Sequence, residues 1–259
     1  MQYDKHKKAD KTIKSIDKNP EMYLIIHYSC ESFYGITDGH TPRITSIAVY
    51  NFESAQTDSF SLHKIAERKH INLSEIEEKY DQLEKQMLAE FFKYAKEHKE
   101  YKWIHWNMRD MNYGFKAIEN RYLVLGGNPF YIPDSNKIDL ARLLIQYYGV
   151  GYVDHPRMEK LIEYNHISAK DFLTGAEEAV AFENKEYVKL HMSTLRKVDV
   201  FANILNRMIN NKLKVKSKWY EVYGFSFQGV FNYCREKWWI QLIWSALLLI
   251  LGAILGKII

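Results

Sequence analysis

The spacing of apolar positions changes along this chain, and each change marks an expected element. Residues 22–27 (MYLIIH) form a continuous apolar run of strand length. Residues 43–52 (RITSIAVYNF) are β-rich and partly alternating, and 58–65 (DSFSLHKI) alternate with Phe60 and Leu62 on one face. The linking segments GITDGHTP and ESAQT carry turn chemistry, so three antiparallel strands joined by hairpins are expected. The period then lengthens. Ile76, Tyr80, Leu83, Met87, Phe91 and Ala95 trace one helical face, with Ser74 and Glu77 at capping-box spacing before it. YKWIHW (101–106) reads as another buried strand and 112–126 as a helix ended by Gly126 and Gly127. KIDLARLLIQYYG (137–149) reads as a strand end running into a helix that stops at Gly149, and 157–165, 175–191 and 193–210 complete a helical second half. This order predicts a mixed α/β sheet covered by helices.

The two ends of the chain depart from that pattern. Residues 1–21 are polar and charged, with no apolar stretch behind their lysines, and read as a flexible leader closed by Pro20. Residues 238–256 (WWIQLIWSALLLILGAILG) contain no charge, and as a helix they would rise about 28 Å, close to a bilayer's hydrocarbon thickness. A single C-terminal transmembrane helix is expected there in preference to a buried core helix, with Trp238, Trp239 and Trp244 at an interface. The excess of Lys and Arg before it, against Lys257 after it, predicts a membrane localisation with the folded domain facing the cytoplasm. The expected divisions are thus 1–21 leader, 22–211 folded domain, 212–237 basic and aromatic juxtamembrane segment, and 238–256 span. In the third of these Lys212, Lys214, Lys216 and Lys218 alternate, as a solvated edge, a strip for nucleic-acid phosphates, or (the reading favoured here) a contact for anionic lipid heads. The aromatic stretch 219–234 fits either the headgroup region or a hairpin packed on the domain.

Composition adds little beyond this. A net charge of +4 is too mild to indicate nucleic acid without knowing where the charge sits, and Cys30 and Cys234 form neither a metal motif nor a disulfide framework.

Particular residues at the joints of the α/β pattern carry more. The first strand continues as HYSCESF, with Ser29 and Glu31 two apart. The fourth runs into HWNMRD, with His105 and Asp110, and the last helix carries TLRKVD, with Thr194 and Asp199. This arrangement resembles the DEDD 3′–5′ exonuclease group of the ribonuclease H-like fold, over residues 22–210. That group has D-x-E on its first strand, an H-N-x-x-F-D-like segment after its fourth, and H-x-x-x-x-D or Y-x-x-x-D on its last helix. The resemblance implies a ribonuclease H-like sheet of three antiparallel strands plus parallel strands, flanked by helices. It also implies a site in which four carboxylates hold two divalent metals.

Here the motifs are only partly kept. Glu31, Asp110 and Asp199 match acids of the family, and Asp139 matches the acidic residue of an intervening segment. Ser29 stands where an Asp is expected, Trp106 replaces the Asn, Arg109 the aromatic, and Thr194 the His, or Leu195 the Tyr of the sister pattern. A serine oxygen is a poor ligand for Mg²⁺, and threonine takes no proton near neutral pH. The first expectation is therefore a membrane-anchored, exonuclease-like domain with an eroded metal site that binds nucleic acid, a nucleotide or a partner protein. Ser29, His105, Arg109 and Thr194 would then touch the ligand. The second is an active Mg²⁺- or Mn²⁺-dependent exonuclease or phosphodiesterase in which Glu31, Asp110 and Asp199 hold metal and His191 rescues the base. Arg109 could alternatively neutralise an orphaned Glu31. The third is a membrane effector or sensor whose helix self-associates through Gly252 and Gly256.

Overall fold

A computed structural model describes residues 2–32, 40–236 and 238–258. The chain opens with α1 (Gln2–Lys18), followed by β1 (Tyr23–Cys30), β2 (Ile44–Asn51) and β3 (Thr57–Ser61). Then come α2 (Leu62–Arg68), α3 (Tyr80–Glu97), β4 (Lys102–His105), α4 (Phe115–Val124) and β5 (Lys137–Asp139). The second half is helical: α5 (Leu140–Tyr148), α6 (Arg157–Tyr164), α7 (Gly175–Glu183) and α8 (Tyr187–Ile209). It closes with α9 (Trp219–Tyr223), α10 (Phe227–Glu236) and α11 (Trp238–Ile258).

The strands form one mixed five-stranded sheet in the order β3-β2-β1-β4-β5. The β1–β2 and β2–β3 pairs are antiparallel, whereas β1–β4 and β4–β5 are parallel. β1 reads as an unbroken apolar run because both its faces are covered. Tyr23 and Ile25 join one core with residues of α1, α5 and α8; Leu24, Ile26 and Tyr28 join the other with residues of α2, α3 and α4. Serines face each other across three strands, Ser29 against Ser46 and Ser46 against Ser61, and all are buried. This row of small residues lies where α8 crosses: Ser46 Oγ is 2.7 Å from Thr194 Oγ1.

Several local expectations shift. Residues 2–18, read as a flexible leader, form α1, whose His6, Ala9, Ile13 and Ile16 are buried at helical spacing. Leu62 begins α2 instead of extending β3. The Ser74–Glu77 box is not made, because Glu77 accepts hydrogen bonds from Arg43 and Tyr187 and α3 starts only at Tyr80. The aromatic stretch beyond the lysines forms α9 and α10 in place of a hairpin.

The largest correction is at the C-terminus. Among the described residues no helix is long and apolar enough to cross a membrane. This overturns the transmembrane helix expected at 238–256, and with it the single-pass anchor and the membrane localisation with a cytoplasm-facing domain. The physical reason lies in the first turns of α11, where Gln241 and Ser245 stand among tryptophans and the Gln241 amide binds the Arg235 carbonyl.

Candidate functional site

Parallel strands leave a crevice at their carboxyl ends, where ligands of α/β sheets commonly bind. Beyond β1 and β4 this crevice is a cleft of about 540 Å³ whose lining includes His27, Glu31, Trp106, Asn107, Tyr113 and Lys197. Three aromatic side chains, Tyr28, Trp106 and Tyr113, form part of its wall. Tyr28 stacks on Tyr113 with ring centroids 4.7 Å apart, and Trp106 stacks on Phe201 at 5.7 Å. The loop after β4 is held by an Arg109–Gly114 bridge and by the Gly114 N–H, which donates to Tyr28 Oη at 2.9 Å. Gly114 is needed there because a Cβ would stand 2.8 Å from the Met108 backbone.

The charged group at the base of this cleft is an ion pair. Lys197 Nζ lies 2.7 Å from Glu178 Oε2, and both side chains are nearly buried. Ser193 Oγ donates to the other Glu178 oxygen at 2.9 Å, so α8 and α7 are cross-linked here. His27 beside it is neutral: burial, reinforced by the Lys197 charge, pushes its pKa well below the ordinary imidazole range. Its Nε2 is buried without a hydrogen-bond partner. Sequence reasoning missed Lys197 and Glu178. For Lys197 a signal existed, since it sits within TLRKVD on the apolar face of α8, beside Val198 and Phe201. For Glu178 there was none.

The residues singled out from the sequence fall into separate groups, with Ser29 and Thr194 in one layer and His105 and Arg109 in another cleft. Ser29 is buried with its Oγ unpartnered, and Thr194 donates to the Leu190 carbonyl at 2.9 Å, so both belong to the layer between sheet and α8. Glu31, at the end of β1, is hydrogen-bonded by His40 at 3.0 Å and by the Arg43 N–H at 3.3 Å. Burial raises its pKa, but those contacts outweigh burial and hold it below the usual carboxylate range. Asp110 sits in the loop after β4, accepting the Asn112 N–H at 2.8 Å. Asp199 is half exposed, 3.5 Å from Arg196. Burial, and then the Asp199 charge, raises the pKa of Tyr50. His191 packs against His63 at 5.0 Å with its Nε2 unpartnered; burial, then His63, push its pKa down to about 3.

Among the described residues, no group of three or more His, Cys, Asp or Glu side chains could hold a metal ion. The divalent metals that the resemblance implies therefore do not fit this donor set. Their chemistry needs clustered carboxylate oxygens. In place of such a cluster the cleft has an ammonium already neutralised by Glu178, with an uncharged serine in the adjacent layer.

A second cleft, of about 590 Å³, runs beside β4 and β5. His105 and Arg109 are here. His105 is buried and accepts the Met108 N–H on Nδ1 at 3.2 Å, and burial lowers its pKa to about 4 although Asp139 opposes the shift. Arg109 pairs with Asp139, Nε to Oδ2 2.5 Å, and not with Glu31. Asp139 also caps α5 by accepting the Ala141 and Arg142 N–H groups.

No family model, curated protein or solved structure matches the chain. The fold is a mixed α/β sheet with helices on both faces, which by itself does not identify an exonuclease.

Proposed function

We propose that this chain is an exonuclease-like binding protein that holds a nucleotide or the end of a nucleic-acid strand without metal. The observation that carries this reading is the buried Lys197–Glu178 pair in a partly aromatic cleft at the carboxyl ends of β1 and β4. The motifs HYSCESF, HWNMRD and TLRKVD support the kinship, as does a sheet of three antiparallel and two parallel-paired strands. Stacked rings and uncharged hydrogen-bonding groups such as Asn107 and neutral His27 suit a nucleobase, whose flat faces pack on aromatic side chains for about 1–3 kcal/mol per base.

The test is binding of nucleosides and short labelled oligonucleotides to the purified chain, by fluorescence anisotropy, with chelator and then with Mg²⁺ or Mn²⁺. Affinity should be the same in both, and Tyr113→Ala should weaken it about tenfold or more. Release of mononucleotides that stops on adding chelator would overturn the reading, as would failure of every base-bearing ligand to bind.

A further inference from the structure

We propose that the cleft beside β5 is a phosphate site, taking a ligand through a terminal phosphate or pyrophosphate group. Its lining holds Arg109, Lys116, Lys137 and Arg142 against the carboxylates of Asp134 and Asp139. The two acids are already engaged. Asp139 is paired with Arg109 and caps α5, and Asp134 is 2.9 Å from Lys137 Nζ. Lys116 and Arg142 are exposed and have no ion-pair partner among the described residues. Glu119, one turn along α4 from Lys116, is buried and does not line the cleft. The cleft therefore presents surplus positive charge from two different elements, α4 and α5, across a concave surface.

Three further features suit a phosphate. Lys137 is held over the Phe115 ring, 4.8 Å from its centroid, so its ammonium is fixed in place. The amino end of α4 has no side-chain cap, and Phe115 and Lys116, its first residues, line the cleft, so the helix dipole adds to the attraction. His105, with Nδ1 accepting a backbone N–H, carries its proton on Nε2 as a neutral donor. Charge-assisted hydrogen bonds to phosphate are roughly twice as strong as neutral ones, and the cleft's volume falls within the usual range of ligand sites.

This deepens the reading above, and the two can fail separately. The experiment is calorimetric titration of the full chain with inorganic pyrophosphate at constant ionic strength, beside sulfate, a nucleoside, and oligonucleotides with and without a 5′-phosphate. Pyrophosphate should bind saturably and more tightly than sulfate. The combined Lys116→Gln and Arg142→Gln change should weaken it about tenfold or more. A control pair, Lys212→Gln with Lys214→Gln, removes equal charge elsewhere and should have no such effect. Tighter binding of the 5′-phosphorylated oligonucleotide assigns the site to a strand end; equal binding assigns it to free phosphate compounds. Pyrophosphate binding no better than sulfate, or weakened equally by the control pair, overturns the site even where a nucleoside still binds. If pyrophosphate binds and no nucleoside does, the phosphate site stands and the base pocket falls.

Discussion

His27, His105 and His191 are buried and neutral, and they make the protein acid-sensitive. Burial is the largest cause of the lowered pKa in each, with His105 at about 4 and His191 at about 3. In the unfolded chain these rings titrate near pH 6.5, so below that value the unfolded state binds more protons and stability falls as pH falls. For His105 alone the loss across the window from about 6.5 to about 4 is on the order of 3 kcal/mol. Glu84 has the opposite sign. Burial raises its pKa to about 6 despite Arg121, so its contribution grows as pH drops from there toward the unfolded value. The histidines outweigh it, so the urea midpoint should fall between about pH 7 and about pH 5, and His191→Phe should flatten that slope. A midpoint that rises on acidification would contradict this. None of these shifts could be read from the sequence, because histidine is equally common on surfaces and only the packing of α8 and α2 buries His191 with His63.

At the scale of elements, periodicity was informative wherever one face of a segment is buried. Tyr80, Leu83, Met87, Phe91 and Ala95 of α3 follow the expected face, and all are buried. The same rule applied to residues 2–18 marks His6, Ala9, Ile13 and Ile16, a signal hidden by the lysines between them. Ile16 is fully buried in the core shared with α5 and α8. Ile16→Ala should therefore cost about 2–5 kcal/mol in chemical denaturation, whereas truncating a flexible leader residue would cost nothing measurable. The lysine strip also behaves as an element. Asn165 binds both the N–H and the carbonyl of Lys214, and Leu213 is buried while Lys212, Lys214, Lys216 and Lys218 are exposed, so the alternation seen in the sequence marks a strap with one face on the protein.

For the molecule as a whole, metal binding is the property that separates the candidate readings. A ligand present at a hundredfold over its Kd stabilises the folded state by about 3 kcal/mol. With the described carboxylates scattered, Mg²⁺ or Mn²⁺ should leave the thermal midpoint where chelator leaves it. An upward shift of several degrees with either ion would show a metal site.

Local rules were enough to read a mixed sheet with helices on both faces, because strand and helix periods are set by residues a few positions apart. The candidate site was legible only as a set of chain positions. Glu31, Asp110 and Asp199 come from different elements, and whether they share a pocket depends on how α8 turns on the sheet and where the loop after β4 folds. Packing decided that Lys197 and Glu178 meet at the base of the cleft while Asp199 faces another way. Packing also gathered Lys116 and Arg142, far apart in sequence, into one surplus of charge. Contacts between distant segments depend on the shape of the whole core, which no short window of sequence contains.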